Sequence, residues 1–263
     1  MKGLICYFST TGNTLLASRY LARKIKNMDF DFHDITKGSI PNLDSYPVIG
    51  FAAFADFFGP STLIRDFIHR LPTQNKKYAF VFNTYGNING QTLKVLRDLV
   101  AEKGFTVISG HGLHTPENYP PLISHGISRS KAPNKRELER FESFIASFDL
   151  LLHDLSRGKT LPEAKIKIGL NRILPVTPRE TARKAMGEKL VNLELCTECG
   201  ACKSHCPYQA IELKPKPFFD VNKCHGCWSC FNHCPTHAIF TKQIKTGHYP
   251  KPNELLQNKL KID

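Results

Sequence analysis

Residues 1–158 alternate strand-like and helix-like segments, and a cysteine-dense stretch follows Val191. Together they predict an α/β protein: a doubly wound parallel sheet with a small C-terminal α+β unit. Three observations carry this reading. Short apolar runs at 2–8, 46–54, 77–85 and 105–113 are separated by segments of helical periodicity. The composition then shifts abruptly, with eight of the nine cysteines crowded into residues 196–234. Finally, CTECGACKSHCPYQAIEL (196–213) recurs 28 residues later as CHGCWSCFNHCPTHAIFT (224–241), with cysteines, proline and the trailing Ala-Ile in register.

Taken in order, KGLICYF (2–8) reads as a buried strand, followed by a turn and an amphipathic helix from about Asn13 to Lys26. YPVIGFAAF (46–54) is the next strand, and STLIRDFIHRL behind Pro60 is a helix. KYAFVFNTY (77–85) leads into the helical GQTLKVLRDLVAEKG, which stops at Gly104, and FTVISGHGL (105–113) closes the series of strands. Leu and Phe recur at three and four residues through 134–158, which predicts a long helix. Residues 159–190 are basic, contain Pro162, Pro175 and Pro178, and lack periodicity. They read as a linker between a domain at 1–158 and a second at 191–263.

Among 263 residues no run of eighteen apolar ones occurs, so no membrane span is expected. MKGLICYFSTTGNT reads as a strand rather than a signal peptide, and a cytoplasmic location is expected. In a reducing compartment, crowded cysteines point to metal binding and not to disulfides. The net charge of +13 divides as +6 over 1–160 and +7 over 161–263, without a stripe of interleaved basic and aromatic residues. That distribution favours an acidic protein partner over nucleic acid.

Both cysteine copies read C-x-x-C-x-x-C-x-x-x-C-P. Structural zinc sites commonly use two cysteine pairs separated by a loop. Three cysteines at successive three-residue spacing suit one compact cluster, while the fourth, before proline, serves the other copy. Residues 191–242 thus resemble bacterial-type dicluster ferredoxins. The resemblance implies two [4Fe–4S] clusters, one on Cys196, Cys199, Cys202 and Cys234, the other on Cys224, Cys227, Cys230 and Cys206. Pro207 and Pro235 would direct the chain after each crossing ligand, and Gly200, Ala201 and Gly226 would admit backbone amides to the clusters. Trp228 and Phe231 depart from the small residues usual between such ligands. They read as a shield against water, with contact to the first domain or to a partner as the alternative for Trp228. His205, His225, His233 and His237 read as neighbours of the ligands, since all eight cysteines are present.

YFSTTGNT (7–14) joins the first strand to the first helix and suits a phosphate, through backbone amides, hydroxyls and a helix N-terminus. It contains no Lys or Arg, and neither GxxxxGK[ST] nor G-x-G-x-x-G follows any predicted strand. Ser9-x-Thr11-Gly12-x-Thr14 resembles the phosphate loop of flavodoxins, a likeness covering about 1–155. It implies a flavodoxin-like sheet of order 2-1-3-4-5 with FMN at the carboxyl ends of the strands. By that resemblance Ser9, Thr10, Thr11, Gly12, Asn13 and Thr14 hold the phosphate. Ala53, Phe54, Phe57 and Phe58, after the third strand, flank the isoalloxazine, with plain core packing as the alternative. Thr84, Tyr85, Gly86 and Asn87, after the fourth, border its other side, and Asn118 and Tyr119 are candidates to cap it. Cys6, in mid-strand, reads as a buried small hydrophobe rather than a redox thiol.

The combination resembles the flavodoxin–ferredoxin fusion proteins, the EFR1 family ferredoxins. It implies an intracellular electron-transfer iron–sulfur flavoprotein in which two [4Fe–4S] clusters exchange electrons with FMN. Acidic redox proteins would be its partners. The alternative is a flavin-dependent reductase whose clusters feed FMN to reduce a small-molecule acceptor, with Asp56 and His114 as acid–base candidates. FMN and cluster are expected to meet either within one chain or across a homodimer. A cluster-bearing nucleic-acid module would leave the phosphate loop unexplained.

Overall fold

The computed structural model describes residues 1–166 and 174–261. Residues 167–173 of the expected linker and 262–263 of the expected second domain lie outside the described residues. The first half runs β1 (Lys2–Tyr7), α1 (Asn13–Lys24), β2 (Asp29–Asp34), β3 (Val48–Asp56), β4 (Gly59–Pro60), α2 (Thr62–Arg70), β5 (Lys77–Tyr85), α3 (Thr92–Glu102), β6 (Phe105–His114), α4 (Pro120–Ser124) and α5 (Lys135–Ser156). The five long strands are parallel in the order β2-β1-β3-β5-β6, and the two-residue β4 folds back antiparallel onto β3. Setting β4 aside, this is the 2-1-3-4-5 order of the flavodoxin-like doubly wound sheet.

Each face of the sheet carries its own core. Ile64, Phe67 and Ile68 of α2 and Leu96, Leu99 and Val100 of α3 cover one face. Ala17 and Leu21 of α1 and Phe141, Ile145, Phe148 and Leu152 of α5 cover the other. Their three- and four-residue spacing is the apolar stripe that identifies these helices in the sequence. An Asn134–Glu137 capping box starts α5. Cys6 is fully buried, and burial pushes its thiol up to about 12, so it behaves as a hydrophobe.

Strand β2 is an addition to the sequence reading. DFDFHD has Asp or His at four of its six positions, and all but its exposed first residue are half-buried. Among the described residues it pairs only with β1, at the sheet edge, where Phe30 and Phe32 supply the packing. An edge strand of this kind lacks the continuous apolar run of its buried neighbours.

The second half begins with α6 (Arg179–Met186), inside the expected linker, and continues through β7 (Leu190–Val191), α7 (Ala201–Ser204), β8 (Ile211–Leu213), β9 (Pro217–Phe219), α8 (Ser229–Asn232), β10 (Ile239–Phe240) and α9 (Glu254–Lys259). β7 pairs with β10 and β8 with β9, both antiparallel. The internal repeat is structural as well as sequential. Left-handed residues recur 28 positions apart, as Glu198 and Gly226, Gly200 and Trp228, and Gln209 and His237. One difference stands out: Trp228, at φ 62, opens α8 where Gly200, at φ 74, opens α7. A left-handed tryptophan costs on the order of 1 kcal/mol or more, so its surroundings must hold it there.

The chain then returns to the first half. Leu256 and Leu260 are buried in the core beneath α1 and α5. Asn253 caps α9 and donates to the Ser130 carbonyl at 2.9 Å, and Lys259 donates to the carbonyls of Lys131 and Pro133. No helix among the described residues is long and apolar enough to cross a membrane.

Candidate functional site

The carboxyl ends of β1, β3, β5 and β6 surround a cavity of about 320 Å³. Of the residues expected at a flavin, Ser9, Thr10, Thr11, Asn13, Thr14, Phe54, Phe57, Phe58, Thr84, Tyr85, Gly86 and Asn87 line it. Two do not. Gly12 sits behind the loop at φ 96, where a side chain would meet Pro252, and Ala53 points into the sheet core. The second departure follows from strand alternation: with Phe54 at the cavity, its neighbour faces the opposite side.

The loop expected to hold a phosphate takes its geometry from the start of α1. Ser9 Oγ accepts from the amides of Gly12 at 3.2 Å and Leu15 at 3.4 Å, which folds the loop over the helix N-terminus. Thr14 and Thr84 hydroxyls meet at 2.8 Å, tying this loop to the end of β5. No Lys or Arg lines the cavity among the described residues. An anion there would therefore be held by amides, hydroxyls and the helix dipole.

Glu117 organises the opposite wall and carried no signal in the sequence. Its carboxylate is 7% exposed and accepts from the amides of Asn87 (2.9 Å), Asn118 (2.9 Å) and Tyr119 (3.0 Å). Burial pushes its carboxyl up, against the pull of those three amides. Gly86 is required beside it, because a Cβ there would lie 2.5 Å from the carboxylate. Asn118 donates to Thr11 Oγ at 2.8 Å, and Asn232 of α8 donates to the Asn118 carbonyl at 3.2 Å. Tyr249 donates to Asn13 Oδ1 at 2.9 Å, so the second half also braces the 9–14 loop.

Of the acid–base candidates, Asp56 lines the cavity, with Oδ2 3.4 Å from His225 Nε2. His114 does not. It stacks on Tyr85 at 5.3 Å and meets Glu137 Oε1 at 2.9 Å, outside the cavity. His225 is buried against Tyr208, while His205 and His233 stack on each other at 3.9 Å.

The eight thiols gather in two cages. Cys196, Cys199, Cys202 and Cys234 border one, and Cys206, Cys224, Cys227 and Cys230 border the other. These are the two expected crossed sets. The Ala210 amide donates to Cys206 Sγ at 3.3 Å and the Ala238 amide to Cys234 Sγ at 3.2 Å, equivalent bonds in the two copies. Burial pushes the Cys227 thiol up to about 12 and raises Cys202 and Cys230 as well. Such thiols become ligands only where a bound cationic centre offsets the desolvation of their anions. Among the described residues no three His, Cys, Asp or Glu side chains converge on a single ion position. Each set of four thiols borders its own space.

The cages differ in their surroundings. Cys199 is exposed, whereas Cys227 and Trp228 line both the second cage and the large cavity. Trp228 is 2% exposed and packs edge-on against Tyr119 at 6.3 Å and Phe231 at 5.1 Å. Tyr119 in turn meets Phe57 at 5.6 Å. The tryptophan therefore joins the two halves. Its Nε1–H is buried with no hydrogen-bond partner among the described residues, so a bound acceptor at this wall would satisfy it.

Residues 195–238 match the family model of the 4Fe-4S dicluster domain. An uncharacterised protein of Methanocaldococcus jannaschii, MJ0298, is 29% identical over 153 residues, 56% of this chain and 97% of that one. A second from the same organism, MJ0726, is 30% identical over 90 residues, 34% of this chain and 40% of that one. Among solved structures, a flavodoxin from the domain Archaea aligns at 17% identity over 58% of this chain and 99% of its own, with a TM-score of 0.44.

Proposed function

We propose that this chain is an electron-transfer iron–sulfur flavoprotein of the flavodoxin–ferredoxin fusion type, carrying FMN and two [4Fe–4S] clusters. The observation that carries the proposal is that Cys227 belongs both to the wall of the large cavity and to the second thiol cage. A flavin in that cavity and a cluster in that cage would be neighbours within one chain, with no second copy needed. The clusters supply one-electron steps, and the flavin accepts one or two electrons. The chain supplies position. Ser9, Thr10, Thr11, Asn13 and Thr14 would hold the phosphate, and Phe54, Phe57, Phe58 and Tyr85 would enclose the ring system. Trp228, Tyr119 and Met186 close the wall facing the second half, and keep water from the gap between the two centres. The exposed Cys199 marks the cage at which an external redox protein would exchange electrons.

Anaerobic reconstitution followed by iron, sulfide and flavin analysis tests the reading. About eight irons and one FMN per chain are expected, with flavin bleaching when the clusters are reduced. Stoichiometric zinc without iron, or clusters whose reduction leaves bound flavin oxidised, would overturn it.

A further inference from the structure

The two thiol cages have different fixed charges at their walls. Lys189, in the segment expected to be a linker, is 7% exposed and lines the second cage together with Cys206, Cys224, Cys227 and Cys230. Its ammonium lies over the face of Trp228, 4.2 Å from the ring centroid. The cation–π contact holds the charge inward and helps to hold the tryptophan in its left-handed conformation. The first cage has no Lys or Arg in its lining among the described residues. Among the described residues its one charged lining residue is Glu198, paired at 3.0 Å by Lys216, whose ammonium also donates to the Cys196 carbonyl at 2.9 Å, so positive and negative charge are matched there and both are partly exposed. Two further titratable side chains stand beside the second cage, His225 in its own lining and Asp56 on the wall of the large cavity, 3.4 Å apart.

We infer that Lys189 sets the direction of electron flow by favouring the reduced form of the second cluster over that of the first. The inference rests on the reading that both cages hold [4Fe–4S] clusters. In the step concerned, one electron leaves the cluster on the Cys199 side, which is oxidised by one unit. It enters the cluster beside Lys189, which is reduced by one unit, and no proton or bond changes hands. A fixed positive charge in a site of low dielectric stabilises the added negative charge far more than it would in water. The electron is thereby drawn toward Cys227 and the flavin cavity.

The test is an anaerobic potentiometric titration of the loaded protein with dithionite and mediators, the two clusters being followed by EPR. In Lys189→Gln the reduced-to-oxidised ratio of the second cluster at fixed potential should fall at least tenfold, a midpoint shift of about 59 mV for a one-electron couple. The first cluster should keep its midpoint, and Lys189→Arg should keep both within about threefold, near 30 mV. If the glutamine form fails to load iron, Lys189→Met retains the apolar stem over Trp228 and is titrated instead. Full iron content with unchanged midpoints in the neutral variant overturns the inference and leaves the cluster reading standing. Equal shifts of both clusters also overturn it, since they indicate a general change of structure. Absence of iron from the wild-type chain overturns both.

Discussion

Replacing Glu117 tests how the cavity is held together. In Glu117→Ala the amides of Asn87, Asn118 and Tyr119 lose their common acceptor. A buried donor left unsatisfied costs about 1–3 kcal/mol. The cavity admits water to part of this wall, so the three together should destabilise the chain by about 3–5 kcal/mol. Restoring the carboxylate's own desolvation free energy offsets some of the loss, and the raised carboxyl indicates that this offset is real. Glu117→Gln preserves volume and one acceptor oxygen but turns an NH₂ toward the amides, so an intermediate loss of about 1–3 kcal/mol is expected. Under the proposed reading both loops would contact the flavin, so FMN affinity should fall with stability, by tenfold or more in the alanine variant, about 1.4 kcal/mol. Urea unfolding of the flavin-free protein gives the first quantity, and quenching of FMN fluorescence gives the second. A loss below 1 kcal/mol together with a dissociation constant within twofold of wild type would refute the reasoning.

Three further outcomes follow from the geometry. Cys227→Ser should lower iron from about eight to about four per chain and leave FMN bound but no longer reduced through the clusters; retention of cluster-driven flavin reduction would argue against the route through that wall. His111 stacks on Phe144 at 4.8 Å and Phe141 at 5.5 Å, and burial, aided by Arg140, lowers its pKa to about 4. Its folded pKa lies below the ordinary value of about 6.5, so its contribution is complete above pH 6.5 and is lost as pH falls toward 4. That amounts to roughly 2–3 kcal/mol, which His111→Phe should remove from the pH dependence of the urea midpoint; an identical slope in the variant would count against it. Leu256→Ala should cost about 2–4 kcal/mol and speed amide exchange in α9, whereas a cost under 0.5 kcal/mol would mean that α9 is not part of the core.

The features legible in the sequence are those whose physics is local. The loop expected to hold a phosphate is a strand–turn–helix junction with its donors in one octapeptide, and the cages follow from a spacing repeated 28 residues apart. Buried parallel strands announce themselves as apolar runs, while β2 does not, because an edge strand can alternate Phe with Asp. Glu117 was invisible for a different reason: its acceptors' partners are backbone amides, which carry no residue identity, and Asn87 lies 30 positions away. Lys189 falls in a stretch without periodicity, and only the fold brings it over Trp228. Trp228 is anomalous in the sequence as a bulky residue between ligand positions, but the side chains around it come from both halves.

Helix α9 has a consequence for how the protein is made. Its Leu256 and Leu260 complete the apolar layer under α1 and α5, yet they are synthesised after all eight cage thiols. A nascent chain emerging from the ribosome therefore holds its first domain with an open seam until the cysteine unit has been translated and has folded back. Contacts of such long sequence separation form late and slowly. Just before that helix, Tyr249 donates to Asn13 of the 9–14 loop, and Pro252 occupies the space a side chain at Gly12 would need. Maturation is thereby ordered: the loop at 9–14 reaches its final shape only in a chain that already contains all eight cage thiols.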